Sequence, residues 1–204
     1  MHQQPVPNSV QKFADYQIDL VDGALYYIPK WLSETRAAHL FEILQHELEW
    51  QQGTVKVFGN WHRIPRLQAW YGDPSAIYGY SGKPLIPLPW HNELLQLRDD
   101  LAHAGIQSNA VLANLYRNGN DRMGWHSDNE RELGICPVIS SVSLGATRTF
   151  QLKHKRTNQR KDLELESGSL LVMAGSLQSN WLHALPQRKR IANGRINLTY
   201  RMVK

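Results

Sequence analysis

Apolar positions along the chain fall into two rhythms. Ala37, Leu40, Phe41, Leu44 and Leu48 recur at three- and four-residue spacing, as do Trp90, Leu94, Leu97 and Leu101, and each set makes one stripe on a helix. Ser33 stands where an N-cap is wanted for a helix reaching about residue 50, and Gly53 closes that segment. Gly105 stands where a second helix over 90–104 needs a left-handed residue. Elsewhere the spacing is short and strand-like. The pattern over 16–28 is strand, turn at Asp22-Gly23, strand. Further strands are predicted over 110–116, 138–144, 147–152, 163–166, 170–173, 182–185 and 196–202, punctuated by Asn118-Gly119, Gly145 and Ser167-Gly168. The first dozen residues, polar with two prolines, read as a loose tail. The whole predicts a mainly β fold with flanking helices, a double-sheet jelly roll with helices packed on one side.

The last strand carries the first chemistry. Arg195, Asn197, Thr199 and Arg201 share one face, and Ile196, Leu198 and Tyr200 the other. Upstream, His126 and Asp128 are two residues apart, so an extended strand presents an imidazole and a carboxylate side by side. His183 from a distant strand would complete two histidines and one carboxylate, a set that suits a non-haem Fe(II) oxygenase. A His-x-Asp triplet alone arises often by chance, and a lone His183 fits a hydrogen-bonded core histidine better than a ligand. The arginine-bearing strand just after His183 tips the reading toward a metal. Arg195 and Arg201 are roughly 20 Å apart along a strand, too far to grip one carboxylate. Their long side chains can converge on the two ends of a five-carbon diacid, and the planar guanidinium meets a carboxylate bidentately. The residues thus predict an enzyme using Fe(II), O2 and 2-oxoglutarate.

Composition narrows the setting. A chain of 204 residues with 42% hydrophobic and 20% charged residues fits one soluble globular domain with a sizeable core. A net charge of +5 permits a polyanionic partner without requiring one. The single cysteine, Cys136, excludes an intramolecular disulfide framework and favours a reducing compartment. The start shows no secretion signal, and no apolar run approaches membrane-spanning length. A soluble, intracellular monomer is expected, cytoplasmic, or nuclear in a eukaryote.

Taken in order, Asn114-Leu-Tyr116-Arg-Asn-Gly-Asn, Trp125-His126-Ser-Asp128-Asn-Glu130, Ser143-Leu-Gly-Ala-Thr-Arg148-Thr-Phe150, His183 and Arg195-Ile-Asn197-Leu-Thr-Tyr-Arg201 resemble the AlkB family of nucleic-acid dealkylating dioxygenases. The likeness runs from about residue 57 to 201, toward the eukaryotic-type members that repair alkylated DNA. It implies a double-stranded β-helix (jelly roll) core at about 106–204, preceded over about 1–105 by helices and a nucleotide-recognition lid. It implies iron on His126, Asp128 and His183, and 2-oxoglutarate on Asn114, Tyr116, Arg195, Asn197 and Arg201. Arg195 would take the distal carboxylate, with Arg201 nearer the metal.

The same likeness gives the aromatic stretch 55–88 a role in base recognition. Tyr80 would sandwich a flipped base against His126, Tyr78 would offer its hydroxyl, and Glu130 would accept from an exocyclic amine, with Arg66 nearby. Phe58 aligns with a wedge that fills the stack in duplex DNA. Trp61, Trp70 and Tyr71 fit core packing equally well. The basic triplet Arg188, Lys189 and Arg190 would meet phosphates, and Lys153-His154-Lys155-Arg156 with Arg160-Lys161 forms a second basic cluster. The implied reaction is oxidative demethylation of 1-methyladenine and 3-methylcytosine in alkylated DNA, releasing formaldehyde, succinate and CO2. An RNA demethylase or another 2-oxoglutarate-dependent hydroxylase on the same core is the alternative. A binding module without catalysis would have no use for the full ligand set.

Overall fold

The computed structural model describes residues 8–57, 59–80 and 83–204. A 3-10 helix (Asn8–Tyr16) leads into β1 (Gln17–Ile18), β2 (Ala24–Ile28) and α1 (Glu34–Glu47). Next come β3 (Thr54–Val57), β4 (Asn60–Arg63), β5 (Leu67–Gly72), β6 (Tyr78–Tyr80), β7 (Lys83–Leu85) and α2 (Asn92–His103). The core follows with β8 (Ala110–Tyr116), β9 (Met123–His126), a 3-10 turn (Arg131–Leu133), β10 (Ile139–Gly145), β11 (Arg148–His154) and β12 (Arg160–Leu165). β13 (Leu170–Ala174), α3 (Leu177–Asn180), β14 (Trp181–Leu185) and β15 (Arg195–Arg201) complete it.

Two antiparallel sheets face one another, as the strand rhythm predicts. The major sheet runs β1-β2-β13-β10-β15-β8-β5 and the minor sheet β12-β11-β14-β9. The hairpins β3-β4 and β6-β7 stand apart as two-stranded sheets. Because side chains alternate along a strand, the major sheet has two different faces. Its outer face, with Val111, Ala113, Leu115, Val142, Leu144, Ile196, Leu198 and Tyr200, packs under Leu40, Leu44, Leu94, Leu97 and Leu101 of the helices in one apolar cluster. Ser33 caps α1 by accepting from the Arg36 backbone N–H, and Gly105 (φ 77°) follows α2.

The space between the sheets is divided. At one end Leu25, Leu152, Leu165, Leu171, Met173 and Trp181 form a second apolar cluster. At the other end the inner face turns polar, and the candidate site lies there. The expected loose tail differs in part: Val10 and Phe13 of the first 3-10 helix are buried in the helix-side cluster. Their burial, rather than the polar residues around them, orders the segment. Trp70 and Tyr71 are core residues, while Trp61 on β4 is exposed. Among the described residues no helix is long and apolar enough to cross a membrane.

Candidate active site

The polar pocket is built by three neighbouring strands of the major sheet. β15 pairs with β8 so that Arg195 lies opposite Tyr116 and Asn197 opposite Asn114, and with β10 so that Asn197 lies opposite Ser143. Inward-facing positions of all three strands therefore converge. Arg195 Nη2 donates to Ser143 Oγ and to Asn197 Oδ1, both at 2.9 Å, and Ser141 Oγ donates to the same Asn197 oxygen at 2.8 Å. Asn197 Nδ2 in turn donates to Thr199 Oγ1 at 2.7 Å. The Arg195 guanidinium lies 5.5 Å from the centre of the Tyr116 ring. Burial lowers the Arg195 pKa to about 10, which leaves it charged at neutral pH. Its Nε is buried without a partner. A charged, desolvated fork with an unused donor is a socket for an anion.

The metal-binding candidates come from the minor sheet. β14 pairs with β9, placing His183 opposite His126 and Leu185 opposite Met123. One residue of β14 thus faces two of β9, a bulge at Gly124-Trp125. The extra residue lets Met123 and His126, three apart, both line the pocket. The strand stops at His126, so the expectation that His126 and Asp128 share an extended strand needs correction. Asp128 reaches the pocket from the coil beyond, because its backbone N–H donates to the buried side chain of Gln178 (3.0 Å) instead of to a strand neighbour. The imidazole Nδ1 of His126 donates to Gly124 O at 2.9 Å, leaving Nε2 3.8 Å from Asp128 Oδ1.

Ligand atoms of His126, Asp128 and His183 lie within 4.8 Å of one another. Burial would push the Asp128 carboxyl up. The Arg201 guanidinium, then the two imidazoles, outweigh burial and hold the carboxyl at about 2. Arg201 Nη2 donates to Asp128 Oδ2 at 2.8 Å, with both groups buried. Burial first, then the charge of His126, lowers His183 to about 3 against the opposing pull of Asp128. His183 Nδ1 is buried without a hydrogen-bond partner. An ionised carboxylate beside two imidazoles, one held neutral and under-bonded, fits an Fe(II) ion with positions left open. The three candidate ligands and Asn114, Tyr116, Arg195, Asn197 and Arg201 all line one pocket.

Over residues 24–201 the chain matches the 2OG-Fe(II) oxygenase superfamily. The chain belongs to that family. It is 41% identical over 182 residues to the mouse protein "DNA oxidative demethylase ALKBH2", covering 83% of this chain and 76% of that one. It is 35% identical over 213 residues to the cattle "Alpha-ketoglutarate-dependent dioxygenase alkB homolog 3", covering 98% and 74%. Its fold is also similar to a solved prolyl-4-hydroxylase from Pseudomonas putida, with a TM-score of 0.59 at 16% identity over 96% of this chain and 100% of that one. This oxygenase therefore uses Fe(II), 2-oxoglutarate and O2.

A second cleft, of about 360 Å³, opens beside the pocket of this family member and shares His126, Asp128 and Arg201 with it. Two of the residues expected to meet the substrate, Arg66 and Glu130, line the cleft, and so do Val55 and Ile64 at the base of the β3-β4 hairpin. Arg66 is buried and its Nε donates to Asn114 Oδ1 at 2.7 Å, which ties the cleft wall to the pocket. Glu130 Oε2 is buried without a partner. β3 and β4 pair with Val57 opposite Asn60, and Phe58 lies outside the described residues. β6 pairs with β7, and the side chains of Tyr78 and Tyr80 also lie outside them.

The basic clusters divide. Lys189 and Arg190 are exposed, whereas Arg188 is half-buried with Nε donating to Thr149 Oγ1 at 3.3 Å. Lys155 turns inward, donating to Ser127 Oγ (3.1 Å) and Gln178 O (2.9 Å), and burial lowers its pKa. It anchors the coil that carries Asp128. Sequence reasoning missed Ser141 and Gln178, and quoted Ser143 only as part of a motif. For the serines a signal existed, since Ser141 and Ser143 share one face of β10 with Val142 and Leu144 on the other. For Gln178 none existed.

Arg148, quoted only as part of a motif, is buried and donates to the backbone carbonyls of Asn118 (3.3 Å), Asp121 (2.9 Å) and Pro186 (2.8 Å). Its guanidinium lies 5.8 Å from the centre of the Tyr116 ring, so two buried cations flank that tyrosine.

Proposed function

We propose that this oxygenase removes methyl groups from the pairing nitrogens of adenine and cytosine in DNA, 1-methyladenine and 3-methylcytosine being the substrates. The observation that carries the reading is the junction of two spaces. A pocket with an arginine at each end of β15 opens, past the three candidate ligands, into a cleft walled by Arg66, Arg122, Trp125 and Glu130. The names of the relatives, a DNA oxidative demethylase among them, agree with it.

In this reading His126, Asp128 and His183 hold the iron, which with 2-oxoglutarate and O2 supplies the oxidation of a methyl carbon. Arg195 grips the distal carboxylate of 2-oxoglutarate, with Ser143 and Asn197 fixing the fork. Asn114 and Tyr116 complete the walls, and Arg201 keeps Asp128 ionised while facing the metal end. The substrate base enters the cleft after leaving the helix stack, its extrusion eased because the lesion already blocks pairing. Glu130 Oε2, buried and unused, accepts from the exocyclic amine, and its charge suits a base made cationic by methylation. Tyr80 and Tyr78 on the β6-β7 hairpin and Phe58 between β3 and β4 act as the lid, and Arg188, Lys189 and Arg190 meet the sugar-phosphate backbone. Once hydroxylated, the methyl carbon leaves as formaldehyde.

The test is an oligonucleotide carrying one 1-methyladenine, incubated with iron, 2-oxoglutarate, ascorbate and air and read by mass spectrometry. Single-stranded DNA, duplex DNA and the matching RNA are run side by side. Loss of 14 mass units from DNA (the difference between methyl and hydrogen), requiring both iron and 2-oxoglutarate, is expected. His126→Ala and Asp128→Ala should abolish it while leaving nucleic-acid binding in place. Preference for RNA would move the substrate class. Succinate without any demethylation would remove the base as substrate.

A further inference from the structure

Trp125 precedes the candidate ligand His126 and has a place in the cleft wall but no assigned partner there. It is 41% exposed, although burial of an indole is strongly favourable. The bulge explains how it stays out: Gly124 and Trp125 together face one residue of β14, so the indole is not held in the regular ladder between the sheets. The bulge is in turn fixed to the ligand, because His126 Nδ1 donates to Gly124 O. A Cβ built on Gly124 would meet nothing within 4 Å, so no other segment packs against the bulge at that position. The guanidinium of Arg160, at the start of β12, lies 6.0 Å from the centre of the indole ring. Trp125 also lines the cleft with Arg66, Arg122 and Arg201.

We propose that Trp125, backed by Arg160, is a stacking platform for the nucleobase adjacent to the one that enters the cleft. The inference rests on the nucleic-acid reading above and names the contact that reading leaves open. A single exposed tryptophan would mean little. This one sits in the cleft wall, tied to a ligand strand, with the Arg160 guanidinium beside its ring and the exposed Arg122 in the same wall. Every base offers a π-face to an indole, so the platform tolerates any flanking sequence. A guanidinium on one side of the ring leaves the other for a base, giving a base–indole–guanidinium stack. Its occupant is therefore a neighbouring nucleotide of the same strand. The platform would hold the strand while the lesion base leaves the stack.

The experiment measures binding of a fluorescently labelled single-stranded oligonucleotide carrying 1-methyladenine by anisotropy, with wild type, Trp125→Ala, Trp125→Phe and Arg160→Ala. Each protein is tested on the intact strand and on strands with an abasic residue immediately 5′ or 3′ of the lesion. On the intact strand Trp125→Ala should weaken binding about tenfold, in the range of one lost base stack. Trp125→Phe should recover most of the loss, and Arg160→Ala should lie between.

On one of the two abasic strands wild type and Trp125→Ala should bind alike, because the stacking partner is already gone. Full affinity of Trp125→Ala on the intact strand overturns the platform. So does the same fractional loss on all three strands. The demethylation assay on the same strands separates the two claims. Conversion by wild type with no dependence on Trp125 removes the platform alone. Trp125-dependent binding without conversion removes the lesion reading and keeps the platform.

Discussion

Replacing Arg201 with methionine removes a guanidinium from a buried pair while keeping most of the side-chain volume. Arg201 Nη2 lies 2.8 Å from Asp128 Oδ2, with side-chain exposures of 5% and 6%. Arg201 supplies the largest downward pull on a carboxyl that burial alone would raise. Leaving a buried charge without its partner costs about 3–5 kcal/mol. For a domain of this size 1 kcal/mol shifts the melting temperature by roughly 2–4 °C, so the metal-free variant should melt about 6–20 °C lower. A divalent cation on His126, Asp128 and His183 would restore the missing positive charge. In wild type the same ion must bind next to the guanidinium that repels it. Mn(II), which cannot cycle under anaerobic conditions, should therefore raise the melting temperature of Arg201→Met by more than that of wild type.

The assay is thermal unfolding of metal-free protein at pH 7, with and without Mn(II). A drop below about 3 °C would contradict the energetics assigned to the pair. An equal Mn(II) shift in both proteins would contradict placement of the metal beside Asp128.

Other consequences can be measured. Gln178→Leu removes the acceptor of the buried Asp128 N–H, and loss of such an outer contact should weaken metal affinity about 10–100-fold; a titration with Co(II) reads it, and unchanged affinity would show that the Asp128 coil holds itself. In Gly119→Ala the new Cβ would collide with the backbone oxygen of Arg188. The reciprocal bonds Gly119 N–H to Ile191 O and Arg188 N–H to Gly119 O, both 2.7 Å, must then separate, costing upward of about 2 kcal/mol in chemical denaturation; a loss below about 0.5 kcal/mol would refute the close approach.

The pH dependence follows from His183, whose folded pKa is lowered to about 3 from 6.5. The unfolded chain then binds the proton first, so stability is full above pH 6.5 and falls as the pH drops toward 3. The slope is at most about 1.4 kcal/mol per unit. Asp128, held at about 2, adds its own loss below about pH 4. Metal-free protein should be measurably less stable at pH 5 than at pH 7, and His183→Gln should flatten the difference.

What could be read in advance followed periodicity. β15 alternates arginine, asparagine and threonine against isoleucine, leucine and tyrosine, and its two faces lie where that alternation puts them. The stripes of α1 and α2 did likewise, because Leu40, Leu44, Leu94, Leu97 and Leu101 leave no other surface for the major sheet to bury. The pairing of His126 with Asp128 was legible, but not its geometry. A bulge has no period, so Gly124-Trp125 looked like ordinary strand, and the coil conformation of Asp128 depends on Gln178, fifty residues away. Arg148 and Lys155 were illegible for another reason. A cation whose donors are taken up by backbone carbonyls has the same sequence appearance as one that reaches only water.

The most direct measurement uses an oligonucleotide whose 1-methyladenine carries a carbon-13 methyl group. The protein is supplied with iron and 2-oxoglutarate in air, and formaldehyde, succinate and the base are quantified together. The account predicts labelled formaldehyde, restored adenine and succinate in equal amounts, all lost in His126→Ala. Succinate formed at full rate with the labelled methyl still on the base would contradict it.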